Sequence, residues 1–176
     1  MHKLIMALFA LTLSACVQVN TEVENAGSQL AISSIHDHDI VLDENSTYAF
    51  TPLQVNEQGA TFPLVTAEIE KYLAVKGFQQ VTPEQNPTFY IGYILEREED
   101  LSDEQLSETF GLNPGLPDLP SLDKGTMLMF ALEGESKQFA WRAAAQGFII
   151  EDISAEERHL RVQQLVNSML HQFVNK

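Results

Sequence analysis

Two stretches of the chain repeat their apolar residues at helical spacing. At about 100° per residue, Phe62, Val65, Ile69, Tyr72 and Leu73 fall within an arc of about 100°, which predicts a helix over 62–76 with one core-facing side. Thr61 stands where a cap belongs, Pro63 suits the first turn, Lys76 the last, and Gly77 stops the run. A second helix starts at Ser154, which forms a capping box with Glu157, and runs almost to the end of the chain. Its Val162, Leu165, Val166, Met169, Leu170 and Phe173 share an arc of about 140°, with Arg161, Gln164, Asn167, Ser168 and His171 on the other side.

Strand-like runs fill the remainder. Residues 29–35 and 47–53 are rich in β-branched and aromatic side chains and are parted by the polar Asp43-Glu44-Asn45-Ser46, so a hairpin is the simplest expectation. Residues 88–95 are apolar on both faces, the mark of a central strand. Strands at 126–133 and 138–150 flank Gly134-Glu135-Ser136-Lys137 and predict a second hairpin. Between them and the central strand, Ser102 with Gln105 caps a short helix at 103–110, and Pro114, Pro117 and Pro120 make 111–124 a loop. The order β-β-α-β-β-β-α predicts an α+β fold, a single domain over 29–176 in which two helices pack on one face of a mainly antiparallel sheet.

The first fifteen residues have a different pattern. His2 and Lys3 precede an apolar run over 4–13 that is too short for a bilayer, which needs about 20 apolar residues, and the segment ends in small residues like a secretory signal. Its close, Leu13-Ser14-Ala15-Cys16, resembles the bacterial lipobox. That resemblance implies cleavage before Cys16, a diacylglyceryl thioether on its sulfur and a further palmitate-type chain on the new amine. Two or more acyl chains hold a protein on a membrane, whereas one binds marginally. In the bacterial sorting scheme an aspartate after the cysteine retains the protein in the inner membrane; Val17 and Gln18 stand there instead, so the expectation is the outer membrane with the domain facing the periplasm. Residues 16–28 then form the lipidated Cys and a polar tether, able to extend roughly 40 Å. Cys16 is the sole cysteine, so its acylation excludes disulfides and thiolate chemistry from the domain.

Within the predicted domain, Thr47-Tyr48-Ala49-Phe50-Thr51-Pro52, Lys76-Gly77-Phe78, Phe89-Tyr90-Ile91-Gly92-Tyr93 and above all Phe139-Ala140-Trp141-Arg142-Ala143-Ala144-Ala145-Gln146-Gly147 follow one another in a familiar order. In that order they resemble the bacterial envelope lipoproteins carrying domain of unknown function 4136, over about residues 47–174. Phe50 replaces the family's usual Trp and Ala143 the first Gly of its Trp-Arg-Gly-x-Ala-x-Gly strand, changes that touch packing. The resemblance implies the fold and the envelope setting. It carries no agreed activity and no catalytic residues.

Charge narrows the partners. The 176 residues carry a formal net charge of −15, which excludes nucleic acid, since a phosphate backbone is gripped by Lys and Arg, and leaves membrane attachment to the lipid on Cys16. The acidic block Glu96, Glu98, Glu99, Asp100, Asp103, Glu104 and Glu108 is a solvated face. His36 and His38 are the candidate metal ligands, because alternation along a strand puts both on one side; they supply two ligands where zinc takes three or four, and no cofactor is expected. His159 and His171 lie about 120° apart on a helix and do not complete the set. Trp141 reads as packing, with Arg142 facing out or paired to a carboxylate. Leu112, Leu116, Leu119 and Leu122 make the Pro-rich loop a candidate partner-binding segment, unless they fold back over the open end of their own core. With no Gly-x-Ser-x-Gly turn and no phosphate-binding Gly-rich loop, the expectation is not an enzyme. It is a lipid-anchored binding or adaptor protein with an envelope protein partner in assembly or maintenance. The alternative is a periplasmic small-ligand or metal-binding module using His36 and His38 or a pocket between helix and sheet.

Overall fold

The computed structural model describes residues 29–38, 40–43, 45–52 and 61–174, so the leader, Cys16 and the tether lie outside the described residues. In chain order the elements are β1 (Leu30–His36), β2 (Thr47–Phe50), α1 (Thr61–Val75), β3 (Gln79–Gln80), a 3-10 turn (Pro83–Gln85), β4 (Phe89–Arg97), α2 (Asp103–Phe110), β5 (Lys124–Glu133), β6 (Phe139–Phe148) and α3 (Ala155–Val174). The strands form one six-stranded sheet in the order β1-β6-β5-β4-β2-β3. From β1 to β4 each neighbouring pair is antiparallel, while β2 pairs in parallel with both β4 and β3. The fold is α+β and its sheet is mostly antiparallel, as expected.

The expected hairpin between the first two strands does not form. β1 lies on the far edge beside β6, with Leu30 opposite Gly147 and His36 opposite Trp141, and β2 sits on the other side of β4. The reason is topological: the chain returns through a helical crossover to pair in parallel with β2, and β4 and β3 occupy its two edges, leaving none for β1. The second hairpin forms where expected, with Glu133 N donating to Gln138 O at 2.9 Å.

Alternation along β5 and β6 divides the core. Met127, Met129 and Ala131, with Trp141, Ala143 and Ala145, face α1 and α3. Val65, Ile69 and Leu73 of α1 and Val162, Val166, Met169, Leu170 and Phe173 of α3 close that layer, and the Phe173 ring lies 5.1 Å from Trp141 and 5.3 Å from Phe89. Leu128 and Ala144 face the opposite way, against Leu106 of α2 and Leu112. Both sides of the central strands are thus covered. No helix among the described residues is long and apolar enough to cross a membrane.

Local signals set the helix ends. Gln105 N donates to Ser102 Oγ at 3.3 Å and Ser102 N to Gln105 Oε1 at 2.8 Å, a reciprocal box that starts α2; Gly111, at φ 67°, stops it in the left-handed region. Ser154 accepts from Glu157 N at 3.1 Å ahead of α3. Thr61 is the first helical residue of α1 rather than its cap.

Gly134 sits where the β5–β6 turn passes under the entry to β4, and a Cβ there would lie 1.8 Å from the Pro87 carbonyl oxygen. Backbone cannot move aside as a side chain would. Gly134→Ala is expected to lower stability by about 1–3 kcal/mol. Gly147→Ala, whose added carbon would meet nothing closer than Gln29 O at 3.6 Å, should cost much less. Urea denaturation of the two variants checks the difference.

Candidate functional site

At one end of the helix layer the sheet has no side chains to offer. Gly125 of β5 and Gly147 of β6 stand opposite each other in the ladder and, by alternation with Met127 and Ala145, on the side that faces the helices. The Ile149 side chain covers Gly125, 3.2 Å from where a Cβ would stand, whereas Gly147 leaves open space, and the groove bordered by both measures about 550 Å³. Leu95 and Met127 line it from the sheet, Phe62 from α1, Val162 and Leu165 from α3, and Phe148, Ile149, Ile150 and Ile153 from the end of β6 and the segment after it. The floor and walls are therefore apolar.

The rim is charged in an uneven way. The chain has four arginines, and three of them, Arg97, Arg158 and Arg161, line this groove. Arg161 Nη2 donates to Phe148 O at 2.6 Å, which holds its guanidinium at the mouth. Arg97 Nη1 lies 3.6 Å from the exposed Asp123 carboxylate. Arg158, half-buried in the first turn of α3, has no ion pair among the described residues. Glu96 and Asp100 bring negative charge to the same rim. An apolar cleft with a few polar groups at its mouth is the usual form of a small-molecule site, and its volume falls within the common range of about 300–1,000 Å³.

On the other face of the sheet a lysine is buried. The Lys124 side chain is 1% exposed, and its ammonium is 3.1 Å from Glu98, 3.0 Å from Asp103 and 2.6 Å from Asp118. Gln146 of β6 donates its amide to the second oxygen of Asp103 and accepts from Leu116 N at 3.4 Å. Burial alone would push the Lys124 ammonium down, but its hydrogen bonds to the three carboxylates and the charge of Asp103 outweigh that and hold it above the ordinary lysine value. Burial likewise pushes the Asp103 carboxyl up, and the hydrogen bonds from Gln146 and Lys124 overcome it, leaving the group below the usual carboxylate range. One oxygen from each of the three carboxylates gathers within 4.8 Å, close enough for a cation, and the cation they surround is the ammonium itself.

The residues singled out in the sequence are dispersed. His36 Nε2 lies 3.0 Å from Gln172 O on α3, whereas His38 Nε2 faces Glu133 at 3.8 Å. β1 ends at His36, so strand alternation no longer relates the pair, and neither belongs to a three-ligand group among the described residues. Leu112 and Leu116 are buried and Leu119 and Leu122 half-buried; Leu112 packs with Leu106 and Leu128, and Leu116 with Phe148. The loop thus folds over its own sheet. Trp141 is core, and Arg142 pairs with Asp37 at 3.0 Å. Glu98 and Asp103 stay partly solvated on the acidic face and also serve Lys124.

Sequence reasoning missed Lys124, the rim arginines and Glu68. Glu68 is buried between α1 and α3, with His159 Nε2 at 3.3 Å and Gln163 Nε2 at 3.3 Å. The signal for Lys124 was present: it is the sole lysine between Lys76 and Lys137, in a stretch crowded with carboxylates.

A family model, domain of unknown function DUF4136, matches residues 32–173. The chain belongs to the DUF4136 family. Its fold resembles that of a DUF4136 family protein from Bacteroides thetaiotaomicron, at 17% identity and a TM-score of 0.51, over 82% of this chain and 95% of that one. It also resembles part of a PDZ domain protein from Parabacteroides distasonis, at 12% identity and a TM-score of 0.52; 84% of this chain is covered, but it spans only 36% of that protein. At these identities the likeness is one of fold. No curated protein sequence matches the chain closely. In this DUF4136 domain Trp141 and Arg142, the core of the resembling motif, serve packing and an ion pair rather than the groove.

The lysine cage has a defined pH window. Asp103, held low, contributes stability that is present above its ordinary value near 3.9 and is lost as pH falls through its depressed folded value. Lys124, held high, contributes below about pH 10.4 and loses it as pH rises through its raised folded value. Lys124→Met removes the buried partner from carboxylates that are themselves 42%, 48% and 81% exposed, so the expected loss is about 3 kcal/mol, the low end for a broken buried pair. Urea titrations should show a difference from the parent that is constant from about pH 5 to pH 9 and shrinks below about pH 4.

Proposed function

We propose that this DUF4136 protein is a lipid-anchored binding protein of the bacterial envelope, tethered to the outer membrane through Cys16, which takes up a small ligand in the groove between α1, α3 and the sheet. The observation that carries the reading is the groove itself: about 550 Å³, apolar within, with three of the four arginines at its mouth. A binding role is supported by the largely apolar lining, from Leu95, Met127, Phe62, Val162 and Leu165, with charged groups at the rim. An adaptor role through Leu112, Leu116, Leu119 and Leu122 gains no support, because these side chains are turned onto their own sheet. The anchor reading rests on Leu13-Ser14-Ala15-Cys16 and the polar segment after it.

Two experiments test the two halves. Cys16→Ser is expected to move the protein from the outer-membrane fraction to the soluble periplasmic fraction and to abolish the mass added by acylation; unchanged fractionation sinks the anchor. For the groove, the neutral apolar dye phenylnaphthylamine should bind the full chain saturably, with a rise in fluorescence. Gly147→Leu, which fills the floor from a position with room for a Cβ, should cut that signal at least fivefold while the thermal transition stays in place. A signal equal in both proteins means that the dye is bound elsewhere.

A further inference from the structure

Resting on that groove reading, we propose that the ligand is a single-chain amphipathic anion, a long-chain fatty-acid carboxylate, with its chain on the apolar floor and its head between Arg158 and Arg161. The argument begins with charge. A chain of formal net charge −15 repels anions over most of its surface, yet three of its four arginines line one cleft. Arg158 and Arg161 stand three residues apart on α3 and so share one face of the helix. The carbonyl of Phe148 occupies one nitrogen of Arg161 and leaves the rest of its fork available, while Arg158 has no ion pair among the described residues. Planar guanidinium forks match a carboxylate in a bidentate fashion and are more weakly hydrated than an ammonium, so they tolerate a half-buried mouth. Glu96 and Asp100 line the same rim. Like charges repel, so the head group belongs on the α3 side, away from β4.

The tail follows from the open position at Gly147. Its missing side chain leaves a gap between sheet and helices, walled by Met127, Leu165 and the Ile149 side chain that covers Gly125. Burial of an apolar chain there grows more favourable with each CH₂, whereas the arginines alone would hold a short anion weakly. Chain and head must therefore both be present. An uncharged chain lacks the partner for Arg158, and a short carboxylate lacks the apolar body.

The test uses the full chain carrying Cys16→Ser, which has no acyl group of its own, with bound phenylnaphthylamine as the reporter. Palmitate below its micellar concentration is expected to displace the dye at concentrations at least tenfold lower than hexadecanol, and acetate should displace none. The double variant Arg158→Gln with Arg161→Gln should lose that tenfold preference, about 1.4 kcal/mol, while hexadecanol displaces as before. Arg158→Lys, which keeps the charge and removes the fork, should lose part of it. Equal potency of palmitate and hexadecanol against the parent protein overturns the anionic ligand and leaves the groove intact as a site. An undiminished palmitate preference in the double variant overturns the placement of the head. Absence of dye binding in the parent overturns the groove reading together with this one. The parent comparison alone decides the ligand class if an arginine variant fails to fold.

Discussion

A strand that is apolar on both faces has to be covered twice, and most of this architecture answers that demand. β4 and β5 sit in the interior of the sheet with buried residues pointing both ways. α1 and α3 supply one cover, with the aromatic contact of Phe173 on Trp141 and Phe89 at its centre. No third long helix exists among the described residues to supply the other, so α2 and the Pro-rich loop take the role, with Leu106, Leu112 and Leu116 as the inserted residues. Prolines suit such a cover because they lower the entropy lost in holding an irregular segment down.

The irregular cover is fastened by charge as well as by leucines. Lys124 reaches Glu98 at the end of β4, Asp103 at the start of α2 and Asp118 in the loop, while Gln146 braces Asp103 from β6. A buried ammonium with a single partner would be a liability; one with three acidic partners holds several segments in register. The acidic block that looked like a solvated surface is in part the complement of this lysine.

Legibility from sequence followed the distance between interacting residues. Both long helices, the Ser102–Gln105 box and the β5–β6 hairpin were readable because the residues that make them lie within a few positions of one another. The pairing of β1 was not readable: seven residues of mixed Leu, Ile, Ser, Ala and His carry no record of which strand they will meet, and the polar stretch after them suited a turn equally well. The groove escaped for a similar reason. It is an absence of a side chain at Gly147, filled in neither by α1 nor by α3, and its arginines come from two elements far apart in the chain. The Pro-rich loop stood between two readings until its leucines were seen against the sheet. The family likeness was legible because Trp141 and its neighbours are core, and core residues carry a fold's signature without carrying its chemistry.

The edge position of β1 has a consequence for how the molecule is made. Leu30 meets Gly147 and His36 meets Trp141, so the first described strand pairs only with the last strand in sequence. A chain that emerges from its amino end holds β1 without a partner until β6 has followed, and the closing of the sheet then joins positions more than a hundred residues apart. Until that moment both edges of β1 lack a partner, and afterwards its outer edge remains the open border of the sheet. The order in which the sheet can close is thus written into the topology rather than into any single residue: β1, the first strand among the described residues, is ordered only once β6 is available.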